Sequence, residues 1–270
     1  MINVVITGGQ GYIGTATAEL FSSYNINSIS IDKKNKHYCY SIYKTLKLFL
    51  RHKPKAIIHL SAYKSIGESK QKPFKYYFNN VFSTFIISLF SFIFKCPLVF
   101  ASSAAVYSPN NPYAKSKLIE EKIIKSLCFR SVILRYFNIG GKTEKSSDTS
   151  GSNIFSIIEK KINNKETLVI NSIYSTRDYT HVSDIASINL KAYLYLMQGK
   201  ESMITDVYSG KQYTILDLIK IYKINKIEVK YEILEDTSND TIYPCIYNVS
   251  YLDWSPSKTI SDIIKSEITY

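Results

Sequence analysis

Short apolar runs alternate with segments of helical periodicity along the first two-thirds of the chain. The apolar runs, which predict strands, are VVIT (4–7), SISI (28–31), AIIHLSA (56–62), PLVFASS (97–103) and SVILRYFNIGG (131–141). The predicted helices cover residues 12–24, 45–52, 74–94 and 112–127. Apolar strands separated by helices are typical of a parallel sheet that is covered on both faces. The pattern therefore predicts an α/β fold with a doubly wound parallel sheet.

A glycine-rich stretch, TGGQGYIG (7–14), joins the first predicted strand directly to the first predicted helix. Gly8 and Gly11 let the main chain approach a pyrophosphate closely, and Gly14 lets the helix pack against the strand. The N-terminus of the helix offers N–H groups and a partial positive charge to the phosphates. A glycine-rich turn without a ligand is the alternative, but the strand before and the helix after it favour a dinucleotide.

An acidic residue, Asp32, stands at the end of the second predicted strand. In dinucleotide-binding folds such a side chain accepts hydrogen bonds from ribose hydroxyls and repels a 2′-phosphate. Asp32 therefore favours NAD over NADP, although the adjacent Lys33 and Lys34 weaken that preference.

The division into domains follows from a polar segment, KTEKSSDTSGSN (142–153), which has the composition of a linker. We predict that residues 1–141 form an NAD-binding Rossmann-type domain, to which segments around 172–190 return. Residues 142–270 are expected to form mostly a smaller C-terminal lobe that binds the substrate.

A Tyr-x-x-x-Lys pair lies in SSAAVYSPNNPYAKSK (102–117), at the start of a predicted helix. Tyr113 and Lys117 are one helical turn apart, and Ser103 ends the fourth strand, at the sheet edge where ligands bind. A nearby ammonium and a cationic nicotinamide would lower the pKa of the phenol, so that Tyr113 could accept a proton from a sugar hydroxyl. The pair alone also arises by chance, and its position in the fold is what indicates catalysis.

Composition excludes several classes of function. The net charge is +12, but only four of the 34 basic residues are Arg and the Lys are scattered, so we expect no nucleic-acid partner. The four Cys are widely spaced without a Cys-x-x-Cys pair, which argues against a metal site. The apolar stretch 81–94 is too short to span a bilayer, and no signal peptide is apparent. We therefore expect a cytoplasmic protein without a membrane partner.

Several longer stretches carry a family resemblance. They are TGGQGYIG (7–14), IIHLSAYKSIGESKQKPFKYYFNNV (57–81), SSAAVY (102–107), PYAKSKLIEE (112–121), LRYFNIGG (134–141), RDYTHVSDIA (177–186) and LDW (252–254). With them the chain resembles the extended short-chain dehydrogenases/reductases, and most closely the UDP-glucose (UDP-hexose) 4-epimerases. The resemblance implies NAD-dependent epimerisation at C4 of a UDP-hexose, either UDP-glucose/UDP-galactose or the N-acetylated pair, through a transient 4-keto sugar.

The resemblance also implies roles for individual residues. The residues expected at NAD are Gly8, Gly11, Tyr12, Ile13, Gly14, Asp32, Leu60, Ser61, Ala62, Lys64, Asn79, Tyr113, Lys117 and Phe137. The expected catalytic residues are Ser103, Tyr113 and Lys117. The residues expected at the UDP-sugar are Ser103, Tyr113, Asn138, Asn153, Arg177 and Cys245, with Phe137 between cofactor and sugar. A homodimer through helices 74–94 and 112–127 is also implied.

Departures from the family pattern refine the expected reaction. Ala104 and Ala105 stand where related dehydratases carry an acid, which favours epimerisation. Ser41 replaces an Asp expected near the adenine, and the loop between Ser103 and Tyr113 is short. A nucleotide-sugar 4-reductase and a non-catalytic nucleotide-sugar-binding relative are the alternatives.

Two departures lie near the expected sugar and diphosphate. Thr237-Ser238-Asn239-Asp240 stands where the family has Arg-x-Gly-Asp, so a phosphate-binding Arg is missing. Cys245, or Pro244 in another alignment, falls at the position that limits the size of the sugar. A small residue there would admit an N-acetyl group, and a buried structural Cys is the alternative.

Overall fold

A computed structural model describes residues 4–149, 151, 153–234 and 252–269. The strands are β1 (Val4–Thr7), β2 (Ser28–Ile31), β3 (Ala56–His59), β4 (Leu98–Ser103), β5 (Ser131–Tyr136), β6 (Asn138–Gly140), β7 (Leu168–Ile170), β8 (Arg177–His181), β9 (Met203–Val207), β10 (Gln212–Tyr213) and β11 (Tyr231–Ile233). The helices are α1 (Tyr12–Ser23), α2 (Ile42–His52), α3 (Ile66–Gln71), α4 (Pro73–Tyr76), α5 (Ser83–Ile93), α6 (Pro112–Leu127), α7 (Ile154–Asn163), α8 (Val182–Met197), α9 (Ile215–Ile224) and α10 (Ile260–Thr269).

The main sheet has six parallel strands in the order β2-β1-β3-β4-β5-β9. Successive strand residues point to opposite faces. Val4 and Ile58 therefore belong to one apolar core with helices α1 and α8, whereas Val5 and Ile57 belong to another with α2, α5 and α6. Because both faces are covered, every position of β1 and β3 is buried, and the strands read as continuous apolar runs. The predicted Rossmann-type α/β fold is confirmed.

The sixth strand comes from beyond the polar segment. Helix α8 packs against the sheet and β9 then pairs with β5, so the returning elements span 182–207. The prediction of one strand over 131–141 was wrong, because the chain leaves the main sheet after Tyr136. Asn138 then pairs in parallel with Tyr179 of β8, in a separate small sheet.

The C-terminal elements have an apolar core of their own. Helices α7, α9 and α10 surround it, and its most buried members are Phe155, Ile158, Leu218, Tyr222, Ile263 and Ile264. Two small sheets, β10-β8-β6 and β11-β7, complete this part of the fold. These elements thus have an apolar core separate from those of the main sheet, and the division into a domain over 1–141 and a smaller lobe over 142–270 stays a prediction.

The segment predicted to be a linker is docked on the first helix. The Oγ of Ser146, a buried residue, donates a 2.6 Å hydrogen bond to the carbonyl oxygen of Tyr12. Thr143 Oγ1 donates to the Glu19 carboxylate at 3.0 Å. Residues 143–149 therefore form part of the packed structure beside the glycine-rich loop.

Helices α4 and α5 are joined by a π-helical turn, Tyr77–Phe82, into one continuous run. By length and composition alone, Pro73–Ile93 could span a membrane, and half of its most apolar window is buried. This is weak evidence, since core helices of soluble proteins pass the same test. In the structure this helical run packs against α6.

Candidate active site

The glycine-rich loop packs too tightly to accept side chains at two positions. Gly8 has φ +67°, a conformation that L-residues with side chains rarely adopt. A Cβ on Gly14 would lie 2.1 Å from the carbonyl oxygen of Gly8 and 2.6 Å from the Cα of Gly9. Helix α1 therefore packs closely against the loop that follows β1, and its first residues line a cavity.

The Asp32 carboxylate is fixed at the end of β2. Its Oδ2 accepts from the backbone N–H of Gln10 at 3.0 Å, and its Oδ1 accepts from that of Lys34 at 2.9 Å. The neighbouring ammonium groups have other partners: Lys34 Nζ donates to the Gln10 carbonyl at 2.8 Å, and Lys33 Nζ lies 4.9 Å from the ring centroid of Tyr63. Asp32 therefore presents a buried, oriented carboxylate to the cavity.

The cavity beside this loop has a volume of about 410 Å³. The residues predicted at the cofactor that line it are Gly8, Gly11, Tyr12, Ile13, Gly14, Asp32, Leu60, Ser61, Ala62, Lys64 and Asn79. Three further predicted residues, Tyr113, Lys117 and Phe137, are described by the structure but lie outside this lining. The structure thus gathers the residues expected at the adenosine and pyrophosphate around one cavity, with the residues expected to be catalytic apart from it.

Two of the predicted catalytic residues, Ser103 and Tyr113, lie near each other where β4 ends and α6 begins. Asn111 caps α6, and its Oδ1 accepts from the Ala114 N–H at 2.9 Å, which places Tyr113 in the first turn. Ser103 ends β4 and lies within hydrogen-bonding reach of the Tyr113 phenol. The turn Ala104–Tyr107 is short, so strand end and helix start remain close.

The pKa of Tyr113 is raised in the structure, whereas the sequence predicted a lowered value. Burial raises its pKa to about 12, with a further increase from the charge of Glu120, while the hydrogen bond with Ser103 acts in the opposite direction. The Lys117 ammonium, expected to lower this pKa, instead donates to the Ala101 carbonyl at 2.9 Å and to Glu120 Oε2 at 3.2 Å. The lysine charge is therefore shared with a buried carboxylate.

Besides Ser103 and Tyr113, the described residues expected at the UDP-sugar lie on the small sheet and at the N-cap of α7, which is Asn153. Asn138 begins β6, is exposed, and donates through Nδ2 to the Asp178 carbonyl at 3.1 Å. Arg177 begins the paired strand β8, and its Nη1 donates to the Thr176 carbonyl at 2.9 Å. Phe137 packs edge-on against Tyr208.

Two further parts of the expected substrate site are not described. Cys245, with its alternative Pro244, and the segment 237–240 lie outside the described residues. Their expected effects on sugar size and on phosphate binding stay predictions.

Asp148 is a candidate that sequence reasoning missed. Its side chain is 3% exposed and accepts from Lys64 Nζ at 3.2 Å and from Asn153 Nδ2 at 3.0 Å. It therefore links a predicted cofactor residue with a predicted substrate residue, and it lines the cavity. The signal in the sequence was an acid within a polar segment, which composition alone assigns to solvent.

Comparisons with known proteins agree with this geometry. The sequence model of the NAD dependent epimerase/dehydratase family matches residues 4–207. UDP-glucose 4-epimerase of Pasteurella multocida is 29% identical over 329 positions, covering 97% of this chain and 95% of the relative. UDP-glucose 4-epimerase of Rhizobium meliloti is 28% identical, covering 98% of this chain and 95% of the relative.

Solved structures show the same fold. UDP-glucose 4-epimerase from Stenotrophomonas maltophila, solved with bound NAD and formylated UDP-arabinopyranose, superposes with a TM-score of 0.90 at 21% identity, covering 100% of this chain and 97% of that one. The Brucella ovis enzyme in complex with NAD also gives 0.90 at 21% identity, covering 98% and 97%. The family match spans the sheet, the glycine-rich loop and the Tyr-x-x-x-Lys pair, and the chain belongs to the NAD dependent epimerase/dehydratase family.

Proposed function

We propose that this protein is an NAD-dependent UDP-hexose 4-epimerase. The observation that carries the proposal is that Ser103, at the end of β4, lies near Tyr113, in the first turn of α6, in a fold whose neighbouring cavity is lined by residues expected at NAD. Relatives that match nearly the whole chain are named UDP-glucose 4-epimerase, which supports this choice within the family.

The residues around the cavity fit NAD. Gly14 leaves no room for a side chain where α1 packs against the loop assigned to the pyrophosphate, and Asp32 offers its carboxylate to a ribose while disfavouring a 2′-phosphate. When bound, NAD supplies the acceptor for the C4 hydride and later its donor. The side chains of this chain supply the proton transfer and the orientation of the sugar.

The proton transfer is assigned to Tyr113. As C4 is oxidised to a ketone, the phenolate oxygen accepts the proton of the C4 hydroxyl, while Ser103 holds the same oxygen through its hydroxyl. The 4-keto sugar then rotates so that its opposite face meets the cofactor. Tyr113 returns the proton to the C4 oxygen, and the opposite epimer is formed. Lys117 holds its ammonium behind this centre and binds the nicotinamide ribose.

The UDP moiety is assigned to the small sheet and to the N-cap of α7. The Arg177 guanidinium is a planar fork that suits two phosphate oxygens, and Asn138 is exposed on the adjacent strand. Phe137 is proposed between nicotinamide and sugar, and Asn153 at the uridine diphosphate. Cys245, or Pro244 in the other alignment, is proposed at the position that limits the size of the sugar, and the substrate panel below tests whether N-acetylated sugars are accepted.

Epimerisation is favoured over dehydration by the turn after Ser103. Ala104 and Ala105 are buried in that turn and cannot act as the acid that eliminates water.

The alignment with the Pasteurella multocida relative spans 329 positions, more than the 270 residues of this chain, so the relative has insertions that this chain lacks. The expected shortening of loops is thus the feature that most favours a non-catalytic alternative.

A homodimer is proposed through α4, α5 and α6. Large side chains stay exposed along the α4–α5 run at the three- and four-residue spacing of a helix-packing stripe, namely Phe74, Phe78, Phe82, Phe85, Leu89 and Phe92. A second copy of the chain packed on this stripe would remove these side chains from water. Sedimentation equilibrium of the parent protein and of Phe85→Glu tests the proposal, which expects a dimer for the parent and a weakened dimer for the variant. A cytoplasmic location is proposed with it and is testable by fractionation.

The experiment that tests the function begins with the purified protein. It is denatured, any released dinucleotide is identified, and the native protein is assayed with UDP-glucose, UDP-galactose and their N-acetylated counterparts. The proposal expects released NAD and interconversion of one pair of 4-epimers without added cofactor. Net reduction that consumes added NADH would indicate the 4-reductase, and binding without turnover would indicate a non-catalytic relative.

A further inference from the structure

A buried ion pair lies directly behind the proposed proton-transfer centre. Glu120 is 0% exposed, stands three residues after Lys117 on α6, and places its Oε2 3.2 Å from the Lys117 Nζ. The Lys117 ammonium donates a second hydrogen bond to the Ala101 carbonyl, which leaves one of its three N–H donors for a ligand. A buried carboxylate is costly unless charge and hydrogen bonds compensate for it, so its surroundings are informative.

Glu120 also ends a chain of hydrogen bonds that starts beside the cavity. Thr84 Oγ1 donates to Glu120 Oε2 at 3.0 Å, so it must accept from His59 Nε2 at 2.9 Å. His59 Nδ1 then lacks a proton and accepts from Thr7 Oγ1 at 2.6 Å. Thr7 Oγ1 in turn accepts at 3.1 Å from the N–H of Leu60, a cavity residue.

This direction of donation has one consequence for charge. Burial lowers the pKa of His59 to about 3, so the imidazole is neutral and can donate through only one nitrogen. The chain therefore ends on an acceptor, which is the Oε2 atom of Glu120. Burial raises the pKa of Glu120, whereas Lys117 and Thr84 favour its charged form.

We propose, on the basis of the function proposed above, that Glu120 is a positioning residue that holds the Lys117 ammonium and opposes ionisation of Tyr113. The titratable groups that face it are Lys117 and Tyr113 on its own helix and His59 on β3, behind Thr84 of α5. Its carboxylate thus keeps the phenol protonated until ligands complete the site.

The size of the effect follows from helix geometry. Tyr113 and Glu120 are seven residues apart on α6, which corresponds to about 10 Å along the axis. One negative charge at about 10 Å, in surroundings with an effective dielectric constant of about 20, changes the pKa of a phenol by about one unit. Removing the charge should therefore raise the phenolate fraction of Tyr113 about tenfold at a given pH below its pKa.

The test is a titration of Tyr113 in protein from which any bound NAD has been removed. The protein is labelled with 3-fluorotyrosine, whose phenol is more acidic than that of Tyr, and the ¹⁹F signal of position 113 is assigned as the one lost in Tyr113→Phe. Midpoints are compared for the parent, for Glu120→Gln, and for Glu166→Gln, which removes the same charge from an exposed pair with Lys161. Glu120→Met, which replaces the carboxylate by an apolar group, serves if the Gln variant does not fold.

The proposal expects the midpoint to fall by about one unit in Glu120→Gln and to stay unchanged in Glu166→Gln. An unchanged or higher midpoint in Glu120→Gln would overturn the proposal. It would mean that Glu120 is uncharged or that its charge does not affect the ionisation of the Tyr113 phenol. The titration requires no turnover, so a protein without epimerase activity that still shows the shift would contradict only the proposed function.

Discussion

Replacing Gly14 by Ala inserts a methyl group where the loop and helix α1 touch. The new Cβ would lie 2.1 Å from the Gly8 carbonyl oxygen and 2.6 Å from the Gly9 Cα, both main-chain atoms that no rotamer change can move. Ordinary contacts for a Cβ lie beyond 3.4 Å, so loop and helix must separate by roughly 1 Å. Gly67→Ala in α3 is a matched control, because nothing lies within 4 Å of the added atom.

Two opposing free energies decide the size of the effect. Ala is favoured over Gly within a helix by about 1 kcal/mol, and this gain applies to both variants. Overpacking costs about 1–3 kcal/mol and applies only to Gly14→Ala. We therefore expect Gly67→Ala to be neutral or stabilised and Gly14→Ala to lose up to about 2 kcal/mol of unfolding free energy. Because the displaced atoms belong to the loop assigned to the pyrophosphate, NAD affinity should fall about tenfold or more.

Urea unfolding and calorimetric titration of NAD-depleted protein with NAD measure the two effects separately. The stability of both variants is compared first, and the NAD dissociation constant is then measured under conditions where both are folded. Gly14→Ala with the NAD affinity of Gly67→Ala would refute the reasoning, since it would mean that the loop tolerates the displacement.

Two buried polar groups give further predictions. Arg135→Met should lower the unfolding free energy in urea by about 3–5 kcal/mol, because it leaves the buried Glu121 carboxylate without the guanidinium that contacts it at 2.7 and 2.9 Å; a loss below 1 kcal/mol would contradict this. His59 has a folded-state pKa of about 3 against an ordinary 6.5, so the unfolded chain binds the extra proton and stability falls as the pH drops from 6.5 towards 3. Between pH 7 and 5 this group costs about 2 kcal/mol, and His59→Gln should show a correspondingly smaller loss; an equal loss would contradict the assignment.

Local signals made much of the fold predictable. The runs 4–7 and 28–31 are strands β1 and β2 with the predicted bounds, and α6 spans 112–127 as predicted. In each case the element is bounded by residues whose effect is local, such as the glycines after β1 and the Asn-Pro start of α6.

Pairing between distant parts of the chain was not predictable in this way. Whether 138–140 extends β5 or joins β8 depends on which strand lies alongside, and apolar periodicity is the same in both cases. The same holds for β9, which completes the main sheet from beyond the polar segment. Helix α3 was not predicted for a different reason, since it is only six residues long.

The buried charged residues near the candidate site were the main feature that the sequence did not predict. Glu120 and Glu121 are adjacent acids on a helix, a pattern that usually indicates a solvated face. Their burial depends on Lys117 and on Arg135, the latter a residue of another element whose contact cannot be read from spacing. Asp148 was missed for the same reason, since its partners are distant in sequence or fixed only by the docked segment.

The most direct test of the central claim is the rate of UDP-galactose conversion to UDP-glucose by Tyr113→Phe. Tyr174→Phe is the matched control, because Tyr174 is 71% exposed. Loss of a general acid–base group reduces turnover by about 10²–10⁴-fold, and the account predicts a fall of this size with the fold and the bound NAD retained. Turnover by Tyr113→Phe at the rate of the Tyr174→Phe control would contradict the account.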